Sequence, residues 1–281
     1  MTTSRSPVRR LKGSIPCLTL IAQGDQQFEI AVASGCLLEE RNRLFWLTAG
    51  HVINRIEALR DGGRLRAAHW QDGLHPAVPA ILDGWSRLAV DDAGLDFGIV
   101  ELPALHADNL RAASHYKAFV FDDCIESGSP EAVEMMAHGC KGDAYVLGYP
   151  QEWARIETHR HGPGSMRADV TIRPVQIPLL HAVTRAEVEG EFGPTSESFW
   201  SPLCTYARIP AATRTSKDTE PLWDIGGVSG GPVIIQIDGR DRLLGSQVSW
   251  LPGCRIVRLL PINFVKAVLH RYFAFLDEKS S

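Results

Sequence analysis

Short apolar segments separated by turn residues run through the first hundred residues of the chain. One helical period interrupts them at residues 52–59, and Gly62-Gly63 ends that helix. Alternating apolar positions and β-branched residues predict strands over residues 15–22, 27–38, 43–49, 65–70, 77–82 and 97–101. This pattern predicts a small sandwich or barrel of antiparallel strands.

A second strand-rich segment begins after residue 142. Asp238-Gly239 predicts a tight hairpin turn inside it, and an amphipathic helix is predicted over residues 261–275. Strands are predicted over residues 144–147, 170–177, 182–188, 199–209, 231–237, 243–250 and 256–260. The sequence therefore contains two strand-rich halves.

The stretch between the two halves is polar and contains one predicted short helix at residues 130–138. We interpret this stretch as a connection between two bodies. The expected division is a strand-rich domain at 14–103, a linker at 104–142, a second strand-rich domain at 143–260 and a C-terminal helix at 261–276.

Composition and charge exclude several classes of protein. The 281 residues are 44% hydrophobic and 22% charged, as in ordinary globular proteins. The formal net charge of -4 does not favour a nucleic-acid partner. The longest uncharged run, at 225–237, is shorter than the ~20 residues of a membrane-spanning helix. Residues 15–22 are interpreted as a strand rather than a signal peptide, so a cytoplasmic location is expected.

The cysteines and histidines do not predict a metal site. His159-Arg160-His161 is interpreted as a solvated basic loop, and no cofactor is expected. No two cysteines have the spacing of a zinc ribbon or a thioredoxin motif, so buried reduced thiols are expected at Cys17, Cys36, Cys124, Cys140, Cys204 and Cys254.

The strongest local signal is the segment GGVSGGP around Ser229. A serine hydroxyl is a weak nucleophile unless an adjacent base removes its proton. The surrounding glycines let the backbone turn sharply, so that main-chain N–H groups can point at a developing oxyanion. Taken alone, the segment is also compatible with an ordinary glycine-rich turn.

Two further residues supply the groups that such a serine needs. His51 follows Thr48-Ala49-Gly50 where an apolar strand gives way to a helix, and Asp96 stands at the head of the apolar strand at 97–101. Each alone is explained as well by a helix-start histidine or a turn aspartate. Together with Ser229 they provide a nucleophile, a base and an orienting carboxylate.

In these three motifs the chain resembles the trypsin/chymotrypsin-like serine proteases, especially their bacterial intracellular and high-temperature-requirement branches. The order His, Asp, Ser along the chain is the order of that family. The resemblance covers residues 14–275. Supporting matches are Ala33-Ser34-Gly35, Leu147-Gly148-Tyr149-Pro150 and Val248-Ser249-Trp250.

The resemblance implies an all-β fold of two six-stranded antiparallel β-barrels with a C-terminal helix. His51 and Asp96 would come from the first barrel and Ser229 from the second. Ser229 would attack a peptide carbonyl, His51 would take its proton, and Asp96 would fix the imidazole tautomer. The N–H groups of Gly227 and Ser229 would form the oxyanion hole.

The sequence departs from the secreted members of the family at two positions. Val52 stands where they carry a cysteine, and Val228 stands where they carry an aspartate that pairs with a new N-terminus. Activation by that ion pair is therefore excluded. We expect the protein to be made without a cleaved activation peptide and to be controlled in another way, with a regulatory protein as one possible partner.

The resemblance also implies a pocket for the substrate side chain. Leu251 replaces a glycine of trypsins and would narrow it, and the end of β-strand 243–250 would pair with the substrate backbone. An Asp224 side chain facing the pocket would favour Arg or Lys substrates, whereas one facing away would be a surface residue. The expected walls are Trp223, Asp224, Ile225, Gly226, Ser249, Trp250 and Leu251.

The expected function is that of a serine endopeptidase of narrow range acting on proteins or peptides. Two rival functions share parts of its sequence pattern. An α/β-hydrolase needs a helix after the serine and a histidine later in the chain, but Pro232 and β-branched residues follow, and only His270 comes after them. That rival is rejected. A catalytically latent protease fold that serves as a binding or regulatory module remains the alternative.

Overall fold

The computed structural model describes residues 16–24, 28–72, 75–91, 94–113, 116–137, 143–160, 166–210 and 224–280. The fold is mainly β, with antiparallel sheets and a long C-terminal helix. The strands are β1 (Cys17–Gln23), β2 (Phe28–Ala33), β3 (Cys36–Glu40), β4 (Arg43–Thr48), β5 (Leu65–Gln71), β6 (Val78–Pro79), β7 (Ser86–Asp91), β8 (Phe97–Glu101), β9 (Ala144–Gly148), β10 (Arg155–Arg160), β11 (Met166–Thr171), β12 (Val175–Pro178), β13 (Thr205–Arg208), β14 (Pro232–Ile237), β15 (Arg240–Leu251) and β16 (Ile256–Pro261). The helices are α1 (Gly50–Asp61), α2 (Ala104–Ala112), α3 (Pro130–Ala137), α4 (Arg185–Phe192) and α5 (Ile262–Ser280).

Strands β1–β8 form two four-stranded sheets, ordered β2-β1-β5-β6 and β3-β4-β8-β7, which we call the N-terminal sheets. The single strand predicted over 27–38 is wrong, because the chain leaves one sheet at Ser34-Gly35 and enters the other. Gly35 is pressed against β4: an added Cβ would lie 2.0 Å from Trp46 Nε1. Strand β7 was not predicted either. The first half therefore contains two sheets of four strands each, and a six-stranded first barrel is not confirmed.

Helix α1 lies between β4 and β5, as predicted from its apolar spacing. Its buried side chains are Val52, Ile53 and Ile56, which pack into the core of the N-terminal sheets. Gly98 of β8 leaves room for this helix, since an added Cβ there would lie 2.8 Å from Ile53 Cγ1. The first turn of α1 is therefore held close to the start of β8.

The second half contains a six-stranded sheet ordered β12-β9-β14-β15-β16-β13, which we call the C-terminal sheet. The predicted hairpin at Asp238-Gly239 is confirmed, with φ of 49° and 73° at its two turn residues. After β12 the chain continues along β13: Leu180 N–H donates to Arg208 O at 2.8 Å, and Val183 N–H donates to Tyr206 O at 2.9 Å. These bonds join the two edges of the sheet.

Other elements of the structure also differ from the sequence pattern. The strand predicted over 182–188 is wrong, because Thr184 begins helix α4 there. The Thr184 hydroxyl accepts from Glu187 N–H, and Glu187 Oε2 accepts from Thr184 N–H at 2.7 Å, which is a capping box. The hairpin β10–β11 and helix α2 were not predicted. The helix at 130–138 is confirmed as α3.

Helix α5 packs across both halves of the protein. The amphipathic helix predicted over 261–275 is confirmed, and its Val265 and Leu269 lie in a core that includes residues of β14 and β15. The same core contains Phe45 of β4, whose ring meets Phe273 edge-on at 6.1 Å. No helix in the described ranges, α5 included, combines the length and hydropathy needed to cross a bilayer.

Candidate active site

His51 and Asp96 are joined by hydrogen bonds at the start of helix α1. The His51 Nδ1 atom lies 2.9 Å from both carboxylate oxygens of Asp96, and the His51 main-chain N–H donates to Asp96 Oδ1 at 3.0 Å. The Asp96 side chain is 12% exposed, whereas the His51 side chain is 51% exposed. The Nδ1 edge of the imidazole is thus held by a buried carboxylate, while about half of the His51 side chain is exposed to solvent.

The position of Asp96 follows from its place at the head of β8. Its φ is +54°, a left-handed conformation that Asp adopts more readily than most residues. The carboxylate there accepts an N–H from the first turn of α1, where the helix dipole stabilises negative charge. The same oxygen atoms hold the His51 ring, so one carboxylate caps the helix and orients the imidazole.

Ser229 lies in a tight turn at 226–231 that leads into β14. Gly227 and Gly230 have φ of +89° and +91°, which a side chain would strain. Val228 is fully buried in the core beneath the C-terminal sheet, and Ser229 is half-buried. The glycines and the buried Val228 therefore present Ser229 at the tip of the turn.

The Ser229 turn packs against the strand that leads to His51. An added Cβ at Gly230 would lie 2.4 Å from Thr48 Oγ1 and 2.5 Å from Ser34 O, so the backbones are in direct contact. Thr48 is the last residue of β4, three positions before His51. Within the described residues, no hydrogen bond joins Ser229 Oγ to the His51 ring. Such bonds are often long in unliganded enzymes.

The main-chain N–H groups of the turn divide into two sets. Val228 donates to Ile225 O, Gly230 to Gln247 O and Gly231 to Val228 O. In the described part of the chain, the N–H groups of Gly227 and Ser229 have no acceptor. These two are the groups that the sequence assigned to the oxyanion hole. Gly227 and Ser229 are half-buried, so these two donors can reach an acceptor outside the turn.

The two described residues before the Ser229 turn differ in burial. Asp224 is exposed, and its Oδ1 accepts the Gly226 N–H at 2.8 Å, so the carboxylate folds back on its own chain. Ile225 is buried in the core, with 1% of its surface exposed. Trp223 lies outside the described residues. Of the predicted walls on this side, Gly226 is half-buried beside Ser229.

The end of β15 forms a second side of the site. Beyond Ser246, where β14 ends its pairing, the strand neighbour of β15 in the described structure is β16 alone. Ser249, Trp250 and Leu251 are half-buried. The Ser249 hydroxyl oxygen is buried without a hydrogen-bond partner in the described ranges. One backbone edge of this segment can therefore receive an extended peptide.

Three side chains around the site were not assigned a role from the sequence. Arg255 has φ of +55°, lies over the Trp250 ring at 5.5 Å and donates to Pro210 O. The Ser34 hydroxyl donates to Gly227 O in the Ser229 turn. The Gln151 side chain accepts the Val32 N–H, and its main-chain N–H donates to Gly226 O. Ser34 stood in a supporting motif, but its partner is 193 residues away. No local pattern reveals such a bond.

The described cysteines are thiols, and in the described residues they do not group with histidines or carboxylates into a metal site. Cys17, Cys36, Cys124, Cys204 and Cys254 are free thiols, and Cys140 lies outside the described residues. Burial raises the pKa of Cys17 to about 12. His161 also lies outside the described residues. In the ranges that are described, no group of three or more His, Cys, Asp or Glu side chains is arranged to hold a metal ion.

Comparisons with known proteins add one finding. No protein-family model matches the sequence, and no curated protein matches it. Among solved structures, the chain is similar to a thermostable serine protease from an extremophilic microorganism. The identity is 14% and the TM-score 0.41, over 91% of this chain and 93% of the other. A similarity of this size assigns no role to any residue.

Proposed function

We propose that the protein is a serine endopeptidase of the trypsin-like type, with Ser229 as nucleophile, His51 as general base and Asp96 as the orienting carboxylate. The observation that carries this proposal is the packing of the Ser229 turn against Thr48, three residues before the His51 that Asp96 holds. In the described residues, two N–H groups of that turn have no acceptor. The hydrogen-bonded pair alone would be a helix cap. The turn beside it supplies the nucleophile.

The proposed chemistry follows from which atoms are already committed. His51 Nδ1–H donates a hydrogen bond to Asp96, so the lone pair of Nε2 remains to take the proton of the Ser229 hydroxyl. The Ser229 oxygen attacks the peptide carbonyl, and the carbonyl oxygen becomes an oxyanion held by the N–H groups of Gly227 and Ser229. The protonated imidazole then gives its proton to the leaving amine. Water hydrolyses the acyl-enzyme by the same steps.

The proposed architecture is a pair of barrels with the site between them. The N-terminal sheets, residues 14–103, would form the first domain, and the C-terminal sheet, residues 143–260, would form the second. The hydrogen bonds from Leu180 and Val183 to β13 support closure of the second barrel. Residues 104–142 would connect the two domains, and α5 would close the molecule across both.

The proposed substrate is a protein or peptide bound in extended form. The backbone edge at Ser249–Leu251 would pair with it as an added strand. Its side chain would lie between Trp223 and Gly226 on one side and Ser249–Leu251 on the other. Ile225, which is buried in the core, and Asp224, which bonds its own chain, would not line this space. The exposed Asp224 carboxylate accepts the Gly226 N–H two residues along its own chain. A preference for substrates with Arg or Lys is therefore not part of the proposal.

A fluorophosphonate probe tests the proposed function directly. We expect labelling of the wild-type protein at Ser229, and loss of labelling in both Ser229→Ala and His51→Ala. Cleavage of a peptide library should disappear in the same two variants. Thermal unfolding of each variant confirms that it is folded. A folded wild-type protein that neither labels nor cleaves would refute an active peptidase and favour the latent binding module.

A further inference from the structure

We propose that Ser34 and Gln151 are positioning residues that hold the Ser229 turn in the geometry that binds the oxyanion. This inference rests on the proposed peptidase function and names the side chains that prepare its site. The turn contains four glycines, Gly226, Gly227, Gly230 and Gly231. Two of them, Gly227 and Gly230, have positive φ. Such a backbone has alternative conformations, so its geometry must be fixed by contacts from outside.

The orientation of each N–H in the hole is set by the carbonyl of the same peptide group. In a trans peptide the C=O and N–H point in opposite directions. Gly226 O accepts the Gln151 main-chain N–H at 2.8 Å, so the Gly227 N–H points away from Gln151. Val228 O accepts the Gly231 N–H at 2.8 Å, which orients the Ser229 N–H in the same way.

Ser34 fixes the peptide group between those two. Its hydroxyl donates to Gly227 O at 2.6 Å and accepts from Tyr149 N–H at 2.8 Å. The residue is 1% exposed, and its own carbonyl accepts the Thr48 hydroxyl at 2.7 Å. A single buried hydroxyl therefore links the N-terminal sheets, the segment after β9 and the Ser229 turn.

The Gln151 side chain holds its own main-chain N–H, which is the donor to Gly226 O, in place. Its side-chain Oε1 accepts the Val32 N–H at 2.8 Å, and its Nε2 donates to Ile30 O at 3.2 Å. The amide thus binds the edge of β2 as another strand would. Because the Gln151 side chain is attached to the N-terminal sheets, its main-chain N–H is held at a fixed place beside the turn.

The same contacts explain how the turn is anchored without an ionic group. Val228 is fully buried, and an added Cβ at Gly148 would lie 2.7 Å from its Cγ1. A buried valine holds the turn by packing, but packing alone does not select the direction of a peptide group. The hydrogen bonds from Ser34 and Gln151 supply that selection. They cross between the two halves, so the hole forms only where the halves meet.

The test compares Ser34→Ala and Gln151→Ala with the wild-type protein. In each variant we expect kcat on a peptide substrate to fall about 10-fold or more, because losing one oxyanion donor outright costs 10²–10³. KM should stay within about twofold, because ground-state binding does not need the hole. The inhibition constant of a peptide aldehyde, whose adduct carries the oxyanion, should rise by the same factor as kcat falls.

Matched controls remove similar groups elsewhere in the N-terminal sheets. Thr19→Ala deletes a buried hydroxyl that contacts Cys17, and Gln23→Ala deletes an amide that donates to Gly24 O. Both should change thermal stability without changing kcat or aldehyde binding. If Ser34→Ala fails to fold, Gln151→Ala decides, because the Gln151 residue is exposed.

The outcomes separate this inference from the function on which it rests. An active wild-type protein whose two variants keep kcat and aldehyde affinity within about twofold would overturn the positioning role and leave the peptidase standing. A parallel fall of kcat and aldehyde affinity at constant KM supports the role. A wild-type protein that neither cleaves nor reacts with a fluorophosphonate overturns both.

Discussion

Replacing Asp96 by Asn is the sharpest test of how the His51 ring is oriented. Asn also tolerates the positive φ at this position, so the backbone is kept. The carboxylate accepts two hydrogens from His51, one from the main-chain N–H and one from Nδ1. An amide has a single acceptor oxygen. If that oxygen keeps the main-chain N–H, the NH₂ group takes the place of Oδ2, 2.9 Å from Nδ1, and favours the tautomer with the ring proton on Nε2.

The wrong tautomer cannot take a proton from Ser229. We therefore expect kcat to fall about 10⁴-fold, which corresponds to roughly 5.5 kcal/mol of transition-state stabilisation. Stability should change far less. Since the His51 side chain is 51% exposed, the lost bond should lower the free energy of unfolding by only about 1 kcal/mol. Steady-state kinetics on a cleaved peptide and urea unfolding measure the two effects.

The chain contains a matched control for this substitution. Asp72 accepts the His75 N–H at 2.9 Å and the His75 Nδ1–H at 2.6 Å, which repeats the Asp96–His51 arrangement at a histidine with no proposed role in catalysis. Asp72→Asn should therefore cost stability while kcat stays within about twofold. The reasoning is refuted if Asp96→Asn keeps kcat within about 10-fold of wild type, or if both variants lose activity equally.

Three further changes have defined outcomes. Gly230→Ala should abolish fluorophosphonate labelling and lower the melting temperature, because its φ is +91° and an added Cβ meets Thr48 Oγ1 at 2.4 Å. Thr184→Ala should lower the free energy of unfolding by about 1 kcal/mol in urea titrations, because it breaks the capping box of α4. Burial raises the pKa of Cys17 from 9.0 to about 12, so the unfolded thiol ionises first and stability should fall as pH rises from 9 to 12, which melting temperatures across that range measure.

Each of these outcomes has a control. Gly239→Ala also places a side chain at positive φ, but nothing lies within 4 Å of its added Cβ, so labelling should persist. Helix α4 should lose protection from hydrogen exchange in Thr184→Ala while the Ser229 turn keeps it. Cys17→Ala should flatten the alkaline part of the stability profile. An unchanged profile in that variant would show that other groups cause the loss.

Local sequence patterns were enough for much of the fold and for the residues of the candidate site. The hairpin at Asp238-Gly239 and helix α1 follow from turn chemistry and apolar spacing, which act over a few residues. The motif around Ser229 is local in the same sense, since its glycines permit the turn without any help from distant residues. The sequence thus determined which side chains could carry chemistry.

Contacts between distant residues decided the rest. The two four-stranded sheets depend on the break at Ser34-Gly35, where Trp46 occupies the space that a side chain at position 35 would need. His51 meets Asp96 across 45 residues, and Ser34 meets Gly227 across 193. Neither bond leaves a periodic or turn signal, because each exists only when separately formed sheets pack together. The sequence determined which groups are candidates for the chemistry, and tertiary packing determined which distant residues they meet.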